Sequence, residues 1–577
     1  MKISRKGLPQ LTAVAAVAAL STGTAQAYKF DAGPDWTFNL DNSITYNIGM
    51  RVQSIDPRLG NNPNFDESEY KFGNGKLVTN RVQDFVEAQA VYQNMMGVRF
   101  TGSMWKDFAY DDSDKSNPGI YAPAGSGPGA LPAITYDSIR SYKSGHFSDY
   151  TKKYQIAGYE LLDAFAFYNT AIADVPVYAK VGRLSQYWGN AFFYGFQAIS
   201  YSQNPVDFIK GFTQPGSEVK ELFLPRTQVL LTANLRQDLS VSAQYFAEFE
   251  ANRFPEGGTF LSPTDFAYSG PDTAFLAAVP TAAGYAPFEV RAANPDKPGG
   301  THANYGVKVA WSPEWARGDL GFYYRHFDEA QPWVLIDFPS STSAGDYHLA
   351  YNRNVRLFGM SYEHSFGPVS TGWEVSYKHH MGLSSTPSAS VPVETEGATG
   401  NVLNVISNAL WQLGSSPLYD TGTVLAEVAY THVTGVTHNE AEALYNGIGY
   451  AGCATNSRWD GCATQNAVAV AISFDPQWLQ VLPSIDLDMP ISDNIGVYGN
   501  GGFTAGGFYG QANQIYSGGI RATYKSNSSV ALQYNAIYGR PNGTTTTPAG
   551  APVYKSGNGL YQFDDRGWIS LTFKTSF

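Results

Sequence analysis

Apolar and polar residues alternate with period two through most of the chain, in segments of roughly 9–14 residues, the pattern of strands with one apolar and one polar face. Over 98–108, Val98, Phe100, Met104 and Phe108 share one side, with Arg99, Thr101, Ser103, Trp105 and Asp107 opposite. Val241, Ala243, Tyr245, Ala247 and Phe249 likewise oppose Ser242, Gln244 and Glu248. Trp373, Val375 and Tyr377 oppose Glu374, Ser376 and Lys378, and Val530, Leu532, Tyr534 and Ala536 oppose Gln533 and Asn535. Helical periodicity is scarce.

A soluble sandwich and a membrane barrel share this alternation, and connection lengths separate them. Strands come in pairs joined by short polar turns, such as Asn94 to Gly97, Arg236-Gln-Asp238, Phe366-Gly-Pro368 and Lys525-Ser-Asn-Ser528. Long irregular connections join the pairs, near 55–79, 111–153, 189–225, 251–301, 330–351, 383–401, 435–463, 493–511 and 541–565. Short periplasmic turns alternating with long outer loops define an outer-membrane barrel, whereas so many long loops count against a sandwich. The pairing predicts about eighteen antiparallel strands: 36–54, 80–94, 97–110, 154–170, 175–188, 226–235, 239–250, 302–312, 318–329, 352–365, 369–382, 402–413, 421–434, 464–475, 479–492, 512–525, 528–540 and 566–577. Residues 402–413 also read as a loop helix, and without them and one partner the count falls to sixteen. Both termini on the periplasmic side require an even number.

The two ends agree with this reading. Residues 568–577 form an aromatic-ended strand with Ile569, Leu571, Phe573 and Phe577 toward lipid and Lys574 toward the lumen, an end of the kind that outer-membrane assembly machinery reads. Lys2, Arg5 and Lys6, the apolar run 11–20 and Ala25-Gln-Ala27 make residues 1–27 a secretory signal peptide, leaving 28–577 as the barrel. Its removal takes the formal charge of −12 to −15. This acidic chain is no nucleic-acid binder. Aromatic residues make up 14% of it and charged ones 15%, with 58 Gly, a composition of strands and turns. Cys453 and Cys462 are too far apart for a redox Cys-x-x-Cys and too few for zinc, so they read as a loop disulfide in an oxidising compartment.

No sequence signature marks a catalytic, cofactor or metal residue. A nucleophile elbow, a Walker loop and His-Glu-x-x-His are all missing. Adjacent His379 and His380 should point to opposite faces of a strand, and Asp112-x-Asp114-x-Ser116 opens like a calcium loop but lacks its Gly and its Glu. Ionisable residues on inward faces, Arg81, Glu87, Arg99, Asp107, Lys180, Glu248, Glu374, Lys378, Glu427 and Arg521, are lumen-lining candidates because a charge facing lipid costs ~2–4 kcal/mol near the midplane. They form either a mutually paired polar wall or a substrate-selective ladder. The third long connection carries Trp188, Phe192, Phe193, Tyr194, Phe196, Tyr201, Phe208 and Phe212, too many rings for a hydrated loop. These predict a constriction inside the barrel or a structural plug of loops.

Several stretches resemble one proteobacterial exported family, known only as domain of unknown function 1302. They are Leu77-Val-Thr-Asn-Arg81, Val181-Gly-Arg-Leu-Ser-Gln-Tyr-Trp-Gly189, Asn204-Pro-Val-Asp207, Pro215 to Pro225 and Asp564-Asp-Arg-Gly-Trp568. The resemblance implies an outer-membrane barrel of a Gram-negative bacterium that handles hydrophobic compounds. It also implies partnership with a periplasmic lipid-carrier-like protein and an inner-membrane transporter. Besides outer-membrane lipid and the assembly machinery, the expected partner is a hydrophobic small molecule; no enzyme activity or cofactor is expected. The functional expectation is a channel or binding barrel for uptake or export of hydrophobic or aromatic solutes. The competing one is a general or structural barrel serving a trans-envelope transporter.

Overall fold

The computed structural model describes residues 28–577 apart from 32, 34, 299–303, 338–344, 387, 390–395, 440–444, 451, 452, 454 and 505. The predicted signal peptide, 1–27, lies outside the described residues. Eighteen antiparallel strands close into one barrel. The first nine are β1 Trp36–Arg51, β2 Leu77–Tyr92, β3 Met96–Asp107, β4 Ala157–Ile172, β5 Val175–Leu184, β6 Arg226–Arg236, β7 Leu239–Phe246, β8 Asn304–Trp311 and β9 Asp319–Phe327. The others are β10 Val355–Phe366, β11 Val369–Gly382, β12 Thr399–Leu413, β13 Thr421–His438, β14 Asn466–Leu482, β15 in two pieces, Ile485–Asp488 and Ile491–Tyr498, β16 Gln514–Tyr524, β17 Ser528–Tyr538 and β18 Trp568–Ser576. Each strand pairs with its sequence neighbours, and β1 closes the ring on β18 with Ile48 opposite Leu571. Closure leaves no unpaired edge in the wall, as a bilayer requires.

Alternation sets which side of the wall each residue faces. Phe100, Met104, Leu161, Phe358, Met360, Val375, Val428, Leu532 and Leu571 stand exposed on the outside. Their inward neighbours Thr101, Ser103, Ser361, Glu374, Ser376 and Glu427 are buried. In β18, Ile569 and Leu571 are exposed whereas Ser570 and Thr572 are buried, and Lys574 donates to Glu218 of the third long connection. Cysteine scanning of 568–574 with a lipid-soluble maleimide is therefore expected to label positions 569, 571 and 573. Labelling at 570, 572 and 574 instead would place β18 one residue out of register.

The stretch 402–413 is strand, as the eighteen-strand pairing predicts, and not the alternative loop helix: β12 pairs along its length with β11 and β13. Three expectations need correction. The turn placed at 476–478 lies instead at 483–484: Pro476 sits inside β14 opposite Gly422 and, on its other side, faces the break between the two pieces of β15, where the ladder is already interrupted. His379 and His380 do not point apart: His380 has φ +62° at a register shift in β11, and the two rings stack with centroids 6.5 Å apart. The long connections are not wholly irregular either. Thr273–Thr281, Gly284–Ala292, Asp346–Tyr351, Pro332–Asp337 and Ser388–Ala389 build a separate five-stranded sheet beyond the wall. Short helices Asp66–Lys71, Phe208–Thr213 and Val219–Leu222 lie in the first and third connections. Cys453 and Cys462 are bonded in the seventh long connection, with Cα atoms 5.8 Å apart.

Residues Asp565, Arg566 and Trp568 act at the barrel's closing seam. Arg51, at the end of β1, pairs with Glu69 at 2.7 Å and Asp565 at 3.1 Å, and Arg566 pairs with the same Glu69 at 2.5 Å. The network ties the first and last long connections together across the junction of β1 and β18. Its members are buried, so each charge depends on the others for the solvation it has lost.

Candidate functional site

The third long connection, 185–225, leaves β5 and turns into the barrel. A chain that crosses a closed barrel finds every wall N–H and C=O already used in the ladder, so side chains must satisfy its own backbone. Four charged wall residues do so. Glu374 of β11 accepts from the amides of Asn190, Ala191 (3.0 Å) and Ile199 (2.9 Å). Glu427 of β13 accepts from Phe192 (2.6 Å), Phe193 (2.8 Å) and Tyr194 (2.8 Å). Lys378 donates to the carbonyls of Phe196 (3.2 Å) and Gln197 (2.7 Å), and Arg325 of β9 donates to those of Ile199 and Tyr201, both at 2.7 Å. Asn408 bridges the Asn190 carbonyl and Glu427. Gly189 makes the inward turn with φ +90°, where a Cβ would strike the Glu374 carboxylate.

The returning half of the connection is held by ion pairs. Lys220 joins Glu87 and Glu218 (3.2 Å), and Lys574 joins Glu218. Lys210 and Arg253 both bind Glu160, at 2.7 and 2.5 Å. Asp207 caps the helix Phe208–Thr213 through the Lys210 amide. The motif stretches 204–207 and 215–225 are thus the anchors of this segment.

The other charged inward candidates mostly pair with neighbouring residues of the wall. Arg99 binds Glu87 and Asp163, Arg183 binds Glu248 at 2.9 Å, and Arg521 binds Asp488 at 2.8 Å. Asp107 accepts from the Asn80 and Ala109 amides and the Thr79 hydroxyl, each at 2.9 Å, near the outer end of β3. Arg81 stacks over Trp105, and Lys180 lies 5.3 Å from the ring centroids of Phe165 and Tyr178.

Aromatic side chains of the connection pack into a chain of stacked rings. Phe196 stacks on Phe208 with centroids 5.7 Å apart, Phe208 on Phe254 at 4.7 Å, and Phe254 on Tyr268 at 4.6 Å; Phe212 joins Phe208 at 5.4 Å. Tyr194 is buried against Tyr509, and Trp188 is buried beside Tyr323. Phe192 departs from the expected burial. It is 55% exposed, because its amide is fixed on Glu427 while its ring projects into open space.

That space comprises two cavities. One of about 600 Å³ lies toward the short-turn end and is bordered by Gly189, Phe192, Leu222, Phe223, Thr371 and Leu410. A second of about 250 Å³ is bordered by Phe193, Phe196, Tyr201, Phe208 and Tyr509. They share Tyr187, Phe192, Leu222 and Phe223 as a common boundary. The lumen-lining candidates Arg99, Asp107 and Lys180 border neither; the polar groups there include Asn204, Asn252, Glu363 and Asn408. Sequence reasoning missed Arg325, Tyr509 and Phe223. Arg325 carried a signal in sharing the inward parity of Tyr323 in β9, and Phe223 in lying within the motif stretch 215–225.

A closed wall, an outward apolar belt and a chain segment secured across the interior define a membrane-spanning β-barrel with a partly filled lumen. The chain belongs to the family described as "Protein of unknown function (DUF1302)", whose profile matches residues 8–577. No curated protein matches it. Solved structures similar to it include Pseudomonas aeruginosa OpdK with vanillate, at 9% identity, covering 94% of this chain and 98% of that one with a TM-score of 0.41. A BenF-like porin from Pseudomonas fluorescens gives 8%, 94%, 98% and 0.40, and Acinetobacter baumannii OccAB1 gives 9%, 96%, 99% and 0.40.

Proposed function

We propose that this protein is an outer-membrane channel that binds and passes a hydrophobic or aromatic small molecule. The observation that carries the reading is the pair of adjoining, mainly apolar cavities separated by Phe192, Leu222 and Phe223, held open by a segment tethered to the wall. A flat apolar solute would stack on exposed Phe192 and on the rings bordering the smaller cavity, while Asn204, Asn252 and Asn408 supply hydrogen bonds for one polar group. Water and small ions would cross such a gap poorly. The larger cavity lies toward the short-turn, periplasmic end, where a lipid-carrier-like protein linked to an inner-membrane transporter would take up or deliver the solute.

Deleting 190–214 tests this. The shortened barrel is expected to keep its heat-modifiable mobility on gels, to conduct ions better in planar bilayers and to lose current block by apolar aromatic solutes. If the intact barrel shows no block by such solutes, the packed rings are a structural plug, and the protein is a structural barrel serving a trans-envelope assembly.

A further inference from the structure

We propose that Asp337, Asp346 and His348 form a binding site for a divalent transition-metal ion of zinc-like preference on the outer sheet. The strands Pro332–Asp337 and Asp346–Tyr351 are an antiparallel hairpin with Leu335 opposite His348 and Ile336 opposite Tyr347. Alternation from that register sets Asp337 and Asp346 across from each other on the face that also carries His348. A bond from the Gly345 amide to the Asp337 carbonyl, 2.9 Å, continues the hairpin at this point.

Each residue offers one ligand atom, and the three atoms lie within 4.8 Å of one another. His348 Nδ1 is 3.3 Å from Asp337 Oδ2. Two ligands bound to one tetrahedral Zn²⁺ at its usual bond lengths stand roughly 3.4 Å apart. The side chains of Asp337 and His348 are each only 8% exposed. Among the described residues, Asp337 Oδ1 and His348 Nε2 have no hydrogen-bond partner, so each side chain keeps one buried polar atom unsatisfied.

Charge argues in the same direction. Two carboxylates facing each other across a strand pair repel, and a single imidazolium could neutralise only one of them. Arg291 is the register neighbour of Asp346 on the adjoining parallel strand, but it is exposed and forms no ion pair with it. A divalent ion would neutralise both carboxylates at once. One imidazole nitrogen with two carboxylate oxygens suits zinc-like ions, whereas calcium needs six or more oxygen ligands. Bound there, the ion would clamp the hairpin where its strands leave regular pairing, stiffening the outer rim independently of what passes through the lumen.

The test uses the full-length barrel in detergent, stripped with EDTA and dialysed, then titrated with Zn²⁺ in a calorimeter and with Co²⁺ followed by visible absorption. One ion per chain is expected, with a Co²⁺ spectrum of nitrogen and oxygen ligation. His348→Gln and Asp346→Asn should each weaken binding by roughly tenfold or more, since each removes one of only three protein ligands. His438→Gln, whose imidazole lies 3.8 Å from Glu396 elsewhere, should leave it unchanged. Heat-modifiable mobility verifies that each variant is folded; should Asp346→Asn fail, Asp337→Asn takes its place. Absence of binding, an affinity unaffected by His348→Gln, or Ca²⁺ binding as tightly as Zn²⁺ each overturns the proposal.

Discussion

Replacing Glu374 and Glu427 together by alanine is expected to free the 185–225 connection from the wall and raise single-channel conductance several-fold. Each carboxylate accepts three backbone amides of that segment. Hydrogen bonds to a charged group contribute ~1.5–3 kcal/mol each, so six of them dominate the docking of a segment whose backbone has no ladder partner inside the lumen. Removing the carboxylates would also leave the Lys378 ammonium buried without its nearest compensating charge. The wall does not depend on either residue, because its ladder is backbone to backbone, and heat-modifiable mobility should persist. Glutamine at both positions keeps one carbonyl acceptor per site and should give an intermediate conductance. Unchanged conductance in the alanine variant, with the connection still protected from protease, would mean that ring stacking alone holds it.

Raising the pH from 4 to 7.5 is expected to loosen the outer connections around Asp66, Glu67, Asp114 and Asp265. These four carboxyl groups are buried close together, and burial pushes Asp114 up to about 6 and Asp265 up to about 7, with Asp66 and Glu67 raised as well. The neighbouring cations act more weakly: Arg140 and Lys71 toward Asp114, and Arg566 toward Asp265. The folded loops hold protons that the unfolded chain releases near the ordinary value of 3.8. Their stability is therefore fully present below that value and is lost as pH rises through about 6 and 7. Hydrogen exchange, corrected for the intrinsic rate, should show protection in 64–70, 111–117 and 262–268 falling roughly tenfold or more over this range. Protection that stays level or increases would show that the carboxylates remain ionised in the folded protein. Asp114 also disposes of the calcium-loop resemblance at 112–116: it faces Glu67, while Asp112 binds Lys152 at 2.9 Å, so the run does not converge on one point.

Much of the architecture was legible in the sequence because a barrel wall has a period of two and one face in contact with lipid. That rule makes Phe100, Val375 and Leu571 apolar and makes Glu374, Lys378 and Glu427 the inward charges, whatever the rest of the fold does. The alternation of short turns with long connections likewise revealed an even-stranded barrel, and the crowd of rings between Trp188 and Phe212 marked a segment that could not stay in water. Irregular backbone carries no period. The five-stranded outer sheet and the meeting of Asp337 with Asp346 and His348 therefore left no local trace, and the closing-seam network of Arg51, Glu69, Asp565 and Arg566 left only the stretch 564–568. The inward glutamates could be read as charges but not as acceptors for loop amides, since their partners lie more than 170 residues away in the chain. Only closing the barrel brings β9, β11 and β13 around one segment, and only then does a polar wall become a set of tethers beside an apolar cavity.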